Sequence, residues 1–239
     1  MHHVVLERWS RGASPLHRRD ARAKIAGLLV FLVVTATAHR ALPEVAAGLA
    51  LLLIAAALLA RLPVTGALAR AALVLPFSLV FAAVCWLAGD PARGLALALK
   101  SYLSALAVLL VVATTPLPAL LAGLESMGAP RFLLMVAQFL YRYLFVISEE
   151  AQHMRIAAAS RGATRSGLAG FRAAAGALAV LFARSYQRAE EIHRGMLARG
   201  FTGQLRTLAV ARFRAADGVF AVLAVAAPIA VRVAVERMA

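Results

Sequence analysis

The residues with the clearest chemical potential are two arginines that occur in matching phrases. Ser160-Arg161-Gly162-Ala163-Thr164 and Ala198-Arg199-Gly200-Phe201-Thr202 each follow a long stretch with helical periodicity. A guanidinium can donate two parallel hydrogen bonds to a carboxylate or to backbone carbonyls, and a lysine ammonium cannot reproduce that fork. A glycine after the arginine is the usual left-handed cap that ends a helix. The repeat therefore predicts two helix ends that each present an arginine for docking.

Apolar residues precede each arginine at the same spacing. When the two copies are aligned on their arginines, Met154 matches Ile192 and Ala158 matches Met196. Positions i, i+4 and i+7 share one helical face, so each arginine follows two apolar residues on its own face. We expect these residues to supply contact area beside the arginine. One Arg-Gly alone would be explained by a helix cap with a favourable dipole charge, and the repetition favours docking.

The carboxylates and lysines give no support to an enzyme. Glu149-Glu150 and Glu190-Glu191 each lie a few residues before Arg or His on the same helix, the spacing of a salt-bridged helix surface. The two lysines, Lys24 and Lys100, do not follow a glycine-rich loop, so no Walker phosphate cradle is predicted. Lys100 lies within an apolar run, where snorkelling explains it and a functional contact is the alternative. We expect no catalytic residue and no ATP binding by this chain.

Metal and cofactor binding has equally little support. Cys85 is the only cysteine and lies in an apolar run, which favours a small buried hydrophobe and excludes a disulfide within the chain. Met1-His2-His3 places an imidazole third from the amino terminus, where copper or nickel could bind, but a flexible terminus is the simpler interpretation. No metal-ligand spacing connects the six histidines, which are His2, His3, His17, His39, His153 and His193. No metal site and no cofactor is predicted.

Composition places these residues in a membrane protein. The chain has 239 residues, of which 62% are hydrophobic, and a mean hydropathy of +0.80. A nucleic-acid binder of this size would not carry several apolar runs of membrane-spanning length, so the net charge of +15 does not indicate nucleic acid. The runs that predict transmembrane helices are 25–38, 43–60, 71–89, 95–115 and 216–231. The predicted fold is all-α, with about five transmembrane helices and additional amphipathic helices.

Charge and proline patterns divide the chain further. The expected segments are a cytoplasmic N-terminal segment at 1–24, transmembrane helices 1–4 at 25–115, a cytoplasmic coupling-helix region at 116–215, and a last transmembrane helix with the C-terminus at 216–239. Within the coupling region, helices are predicted at 118–127, 131–161 and 167–199. The apolar parts of the two long helices could enter the membrane while their charged ends stay in water, and the sequence leaves their depth open. Basic residues before the first span and throughout the coupling region place both on the cytoplasmic side.

The first and third spans carry special features. The run 25–38 is short for a bilayer, and we expect Lys24 and Arg40 to snorkel and extend its effective length. Pro76 is predicted to kink the third span. Pro116 is predicted to close the fourth and begin a new element.

The stretch Ser14-Pro15-Leu16-His17-Arg18-Arg19-Asp20-Ala21-Arg22-Ala23-Lys24 resembles the start of the transmembrane T component of energy-coupling factor transporters. The resemblance continues through Tyr141-Arg142-Tyr143-Leu144-Phe145 and through the residues from Glu150 to Arg155 before the first arginine phrase. It also includes Arg184 to Met196 before the second phrase. It covers nearly the whole chain and is closest to the cobalt-transport branch, often labelled CbiQ.

This resemblance implies a scaffold in an importer that is built from several chains. In that family, two cytoplasmic ATPases hydrolyse ATP, a membrane S component binds the substrate, and the T component joins them within the lipid bilayer. Two Ala-Arg-Gly signatures seat in grooves of the ATPases. The residues that match these signatures are Ser160, Arg161, Gly162, Ala198, Arg199 and Gly200. Ser160 stands where the family has alanine, a mild departure since both residues are small.

The sequence leaves more than one possibility for the transported substrate and for the class of transporter. Cobalt follows from the branch that the sequence resembles, while nickel or a vitamin such as biotin stays open because the S component selects the substrate in this family. A self-contained secondary transporter is the other class, and it would need a substrate site near the bilayer midplane. The resemblance implies a multi-pass protein of the bacterial plasma membrane.

Overall fold

The structure is a computed structural model that describes residues 9, 10, 12, 14–38, 42–162, 168–203 and 214–238. The described residues form helices and short connections, with no strand among them. The all-α fold is therefore confirmed. The α-helices are α1 (Ala21–Thr37), α2 (Leu42–Leu59), α3 (Val64–Ala71), α4 (Leu75–Leu87), α5 (Pro91–Thr114), α6 (Leu117–Ser126), α7 (Arg131–Ser160), α8 (Leu168–Ala198) and α9 (Ala215–Met238).

Five helical stretches in the described part of the chain are long and apolar enough to cross a membrane. They are Leu42–Leu59, Val64–Leu87, Pro91–Thr114, Arg131–Ser160 and Ala215–Arg237. The number agrees with the expectation, but the membership differs. The 17 residues of α1 span about 25 Å, short of the roughly 30 Å hydrocarbon core, whereas α7 contains an apolar stretch of sufficient length. The chain is a multi-pass membrane protein.

Prolines mark helix boundaries where the sequence predicted them. The expected irregularity at Pro76 is a 3-10 turn, Ala72–Val74, that separates α3 from α4. Pro116 is the N-cap of α6, directly after the extended residue Thr115. Pro228 lies inside α9 and is fully buried. A proline inside a helix leaves one backbone carbonyl without its intrahelical hydrogen bond. Such a proline is tolerated where neighbouring helices satisfy that carbonyl.

The chain divides into two compact units, which are described separately. The first comprises residues 1–128 and 211–239, and the second comprises residues 129–210. In the first unit, α1 lies centrally and packs against α5, α6 and α9. The core of this unit is built from aliphatic side chains and alanines of α1, α2, α3 and α5. In the second unit, the long helices α7 and α8 contact each other.

Small residues set the helix spacing in the first unit. A Cβ added at Gly94 of α5 would lie 2.8 Å from the carbonyl oxygen of Ala82 in α4. A Cβ added at Gly27 of α1 would lie 2.8 Å from the Cβ of Ala224 in α9. Helices in lipid gain van der Waals contact when small residues let their backbones approach. These two glycines therefore hold pairs of helices at close range.

Replacing Gly94 by alanine is expected to destabilise the protein, because the obstructing atoms are backbone and cannot rotate away. Overpacking of this kind costs about 1–3 kcal/mol. Thermal unfolding in detergent measures the change. Gly176→Ala in α8 is the matched control, since an added Cβ there meets no atom within 4 Å and alanine favours a helix by up to about 1 kcal/mol. Equal melting temperatures for the two variants would contradict the close packing.

Candidate functional site

The two arginine phrases lie at helix ends, as predicted. α7 ends at Ser160 and α8 ends at Ala198. The next glycines, Gly162 and Gly200, have φ angles of 75° and 79°, in the left-handed region. In this region the Cβ of other residues comes too close to the following carbonyl oxygen. Glycine has no Cβ and adopts the conformation without this clash. The predicted glycine caps are confirmed.

Backbone hydrogen bonds close both ends without using a side chain. The Gly162 N–H donates to the Ala159 carbonyl at 3.0 Å. In the second copy, the Gly200 N–H donates to the Leu197 carbonyl at 3.0 Å and the Phe201 N–H donates to the Met196 carbonyl at 3.0 Å. This pair of bonds is the Schellman arrangement. Residues 163 and 164 of the first phrase lie outside the described residues.

The arginine side chains point into open surroundings. Arg161 and Arg199 are both exposed. Ser160 donates its hydroxyl proton to the Ile156 carbonyl at 3.1 Å, which binds the serine to its own helix. The two phrases therefore place one cation each just beyond a closed helix end. Such an end can bind a carboxylate or backbone carbonyls of a partner with little further ordering of its backbone.

The apolar residues expected beside the arginines are less exposed to solvent than the arginines themselves. Each of them is half-buried; they are Met154, Ala158, Ile192 and Met196. Ile156 and Leu197 are more accessible, at 57% and 53% exposure. The repeat does not predict this second pair, because Ile156 and Leu197 occupy different positions relative to their arginines. A search for any apolar residue within the last turns of each helix would have found them.

Ion pairs organise the second unit. Glu150 of α7 pairs with Arg184 of α8, so the expected salt-bridged surface includes a link between helices. Glu190 pairs with Arg194 within α8 at 3.0 Å, as its i, i+4 spacing predicts. A cleft of about 330 Å³ adjoins the first pair. Its lining residues are Val146, Ile147, Glu150, Leu181, Arg184, Ser185, Gln187, Arg188 and Glu191.

Within the described ranges, no three His, Cys, Asp or Glu side chains are placed to hold one ion. Cys85 is half-buried and is not in a disulfide. The possible copper or nickel site at residues 1–3 lies outside the described residues.

The structure corrects the role expected for Lys24. Its side chain does not snorkel to the surface, because Lys24 is only 4% exposed. Its Nζ donates to the Thr114 carbonyl at 2.9 Å and to the Thr115 hydroxyl oxygen at 2.8 Å. The last carbonyls of a helix lack partners within that helix, and here the lysine supplies one. Arg40, the other residue expected to snorkel, lies outside the described residues.

The C-terminal end of α1 accepts hydrogen bonds from cationic side chains of two other helices. Lys100 of α5 donates to the Ala36 carbonyl at 2.9 Å. Arg232 of α9 donates to the hydroxyl of Thr37 at 2.6 Å and to its carbonyl at 3.2 Å. Positive charge at a helix C-terminus is favourable because the helix dipole is negative there. Lys100 therefore makes a structural contact that the snorkelling explanation did not include.

Comparison with known protein families decides the assignment. A family model described as CbiQ, cobalt transport protein, matches residues 12–208. This chain belongs to the CbiQ family. The match includes both arginine phrases and the stretch that leads to Lys24, so the resemblance seen in the sequence is confirmed.

Individual relatives match over shorter segments. A cobalt transport protein CbiQ of Rhodobacter capsulatus is 30% identical over 118 residues, which cover 49% of this chain and 48% of that protein. An uncharacterised protein of Methanocaldococcus jannaschii is 28% identical over 101 residues, covering 42% of this chain and 38% of its own length. A second uncharacterised protein of that organism is 26% identical over 98 residues, covering 41% and 34%. The chain thus spans about half or less of the length of these relatives.

The cap at Gly200 gives a test of the helix end in this CbiQ-family chain. Gly200→Val is expected to fray the last turn of α8, because a left-handed φ costs a β-branched residue about 1–2 kcal/mol. Gly200→Asn is the matched variant, since asparagine tolerates this conformation. Hydrogen exchange of residues 194–198 measures the fraying. Equal exchange in the two variants would show that the cap does not hold the end.

Proposed function

We propose that this chain is the T component of an energy-coupling factor importer and joins cytoplasmic ATPases to a membrane S component. The observation that carries the proposal is the pair of exposed arginines, Arg161 and Arg199, each fixed beyond a glycine-capped helix end. Membership of the CbiQ family supports the same role. ATP hydrolysis belongs to the two ATPase subunits, and this chain contributes no catalytic group.

Docking of the arginines is the step that links the subunits. Each guanidinium would enter a groove of one ATPase and bind a carboxylate or backbone carbonyls through its two parallel donors. The backbone is already ordered at the caps, so binding energy is not lost in fixing a loop. Half-buried Met154, Ile192 and Met196 add apolar contact, and methionine adapts its shape as the partner moves.

Closure of the ATPase pair on ATP would then displace the two helix ends relative to each other. The displacement would pass along the chain to the helices of the first unit and from them to the S component. Exposed apolar side chains of α4 fit a surface that faces lipid or another membrane protein; they include Phe77, Leu79, Val80, Phe81, Val84 and Trp86. Small residues elsewhere in the unit allow close contact between helices.

Cobalt is the cargo that we propose, because the family model and one relative carry cobalt transport in their descriptions. Nickel and a vitamin such as biotin are the alternatives, since the S component would select the cargo. The protein would lie in the bacterial plasma membrane, with its N-terminus and the arginine-bearing ends of its coupling helices in the cytoplasm. The basic residues of those segments support this orientation.

Charge reversal at both helix ends tests the coupling role. Arg161→Glu with Arg199→Glu is expected to abolish recovery of ATP-binding subunits when the chain is purified from its native membrane in mild detergent. Truncating one partner of a buried interfacial charge pair costs about 2–5 kcal/mol, and two such losses would disrupt the complex. Mass spectrometry identifies the recovered chains, and cobalt uptake by cells reports function.

The control has the same charge change at other positions. Arg155→Glu with Arg188→Glu alters one exposed arginine on each of the same helices, before the ends. This variant should keep the ATP-binding subunits. Uptake that survives the double change at Arg161 and Arg199 would overturn the coupling role. A folded, monodisperse parent chain that always purifies alone would favour a self-contained transporter.

A further inference from the structure

The chain passes between the two units at two places. It leaves the first unit after α6 and continues into α7, and it returns to the first unit before α9. The elements that lead to these two places, α6 and the start of α9, both contact one short stretch, Arg19 to Lys24, at the start of α1. This convergence involves residues far apart in sequence, since Thr115 precedes the second unit along the chain and Asp217 follows it.

The helix that leads to the first connection, α6, is held at its start by Lys24. Its buried ammonium binds the carbonyl of Thr114 and the hydroxyl of Thr115, which form the corner between α5 and α6. α6 then runs along α1, and a Cβ added at Gly123 would lie 3.1 Å from the Cβ of Ala21. The helix that precedes the second unit is therefore fixed at its start by a charge-assisted bond and along its length by close packing.

The second connection is held by Asp217, in the first turn of α9. Its carboxylate is only 7% exposed. One oxygen accepts from the Asp20 backbone N–H at 3.3 Å, and the other accepts from the Arg214 N–H at 3.1 Å. The guanidinium of Arg19 lies 3.9 Å from the same carboxylate. The first turn of α9 is thereby bound to the turn that precedes α1.

Side chains of opposite charge surround these contacts. Asp20 accepts a hydrogen bond from the Arg22 backbone N–H at 2.8 Å, while its other oxygen is buried with no hydrogen-bond partner among the described residues. Two carboxylates, Asp20 and Asp217, therefore lie among the cations Arg19, Arg22 and Lys24. The side chains of Arg19 and Arg22 are 32% and 38% exposed, so solvent screens their ion pairs, and the backbone N–H groups do most to hold the two carboxylates in place.

We propose that the stretch Arg19 to Lys24 is the anchor through which movement of the coupling helices reaches the membrane helices. This inference rests on the coupling role proposed above. A displacement of α6 or of the start of α9 would move the same helix, α1, which packs against α5, α6 and α9 in the first unit. Lys24 and Asp217 are positioning residues in this scheme. They fix the two connections, so that a displacement moves α1 and is not absorbed by local rearrangement.

The variants remove single contacts of the anchor. Thr115→Val removes the hydroxyl that binds Lys24 while keeping the size of the side chain, and Thr115→Ser is its matched control. Lys24→Met and Asp217→Asn remove the two charges, alone and together. Lys100→Met is a second control, because it removes the other lysine from the opposite end of α1, where it binds the Ala36 carbonyl.

Three measurements are made on the full chain. Hydrogen exchange in detergent is expected to rise about tenfold in residues 114–126 for Thr115→Val and Lys24→Met, and in residues 214–220 for Asp217→Asn. ATP-binding subunits should be recovered with these variants as with the parent. Cobalt uptake should fall about tenfold or more in the double variant and stay near the parental rate for Thr115→Ser and Lys100→Met.

Separate results overturn the anchor and the coupling role. Raised exchange with normal uptake would show that the contacts stabilise the fold and transmit nothing. Loss of the ATP-binding subunits from these variants would assign the residues to assembly and would also overturn the anchor. If the parent recovers no ATP-binding subunit, the coupling role itself fails. The exchange measurement on the isolated chain then still decides whether Lys24 and Asp217 hold the two connections.

Discussion

The need to satisfy the last carbonyls of each helix governs much of this structure. Four helix ends solve the problem in two ways. The ends of α1 and α5 take cations from distant helices, with Lys100 donating to the Ala36 carbonyl and Lys24 to the Thr114 carbonyl. The ends of α7 and α8 are closed by backbone N–H groups at left-handed glycines. Where backbone N–H groups bond the last carbonyls, the neighbouring arginine stays accessible to a partner. Where a lysine bonds them, its ammonium is occupied by a contact within the protein.

This difference divides the cations of the chain by role. Lys100 lies in a helix long enough to cross the membrane, where an unbound charge is costly, and a carbonyl of another helix binds it. In the second unit, Arg161 and Arg199 are exposed and can exchange water for a partner at moderate cost. The first group ties helices to each other, and the second group suits contact with another chain.

Local features were predictable from the sequence, and distant pairings were not. The glycine caps and the bounds of α7 and α8 follow from residues within a few positions of one another. The contacts of Lys24 with Thr115 and of Asp20 with Asp217 join residues that lie 91 and 197 positions apart. Nothing in one sequence specifies which residues pair over such distances, so Lys24 was expected to snorkel. The sequence predicted helix lengths in part: it showed that the run at α1 is short for a bilayer, but it left open how deeply the apolar part of α7 enters the membrane.

The two arginine-bearing ends are alike but not identical, and this has a consequence for symmetry. The residue three positions before the arginine is alanine in one copy and methionine in the other, at Ala158 and Met196. A partner pair related by a two-fold axis would meet one shallow and one bulky surface. Binding would then break the equivalence of its halves and give the pair a single preferred orientation. The methyl group of Ala158 set against the longer thioether side chain of Met196 would contribute to the directionality of such an assembly.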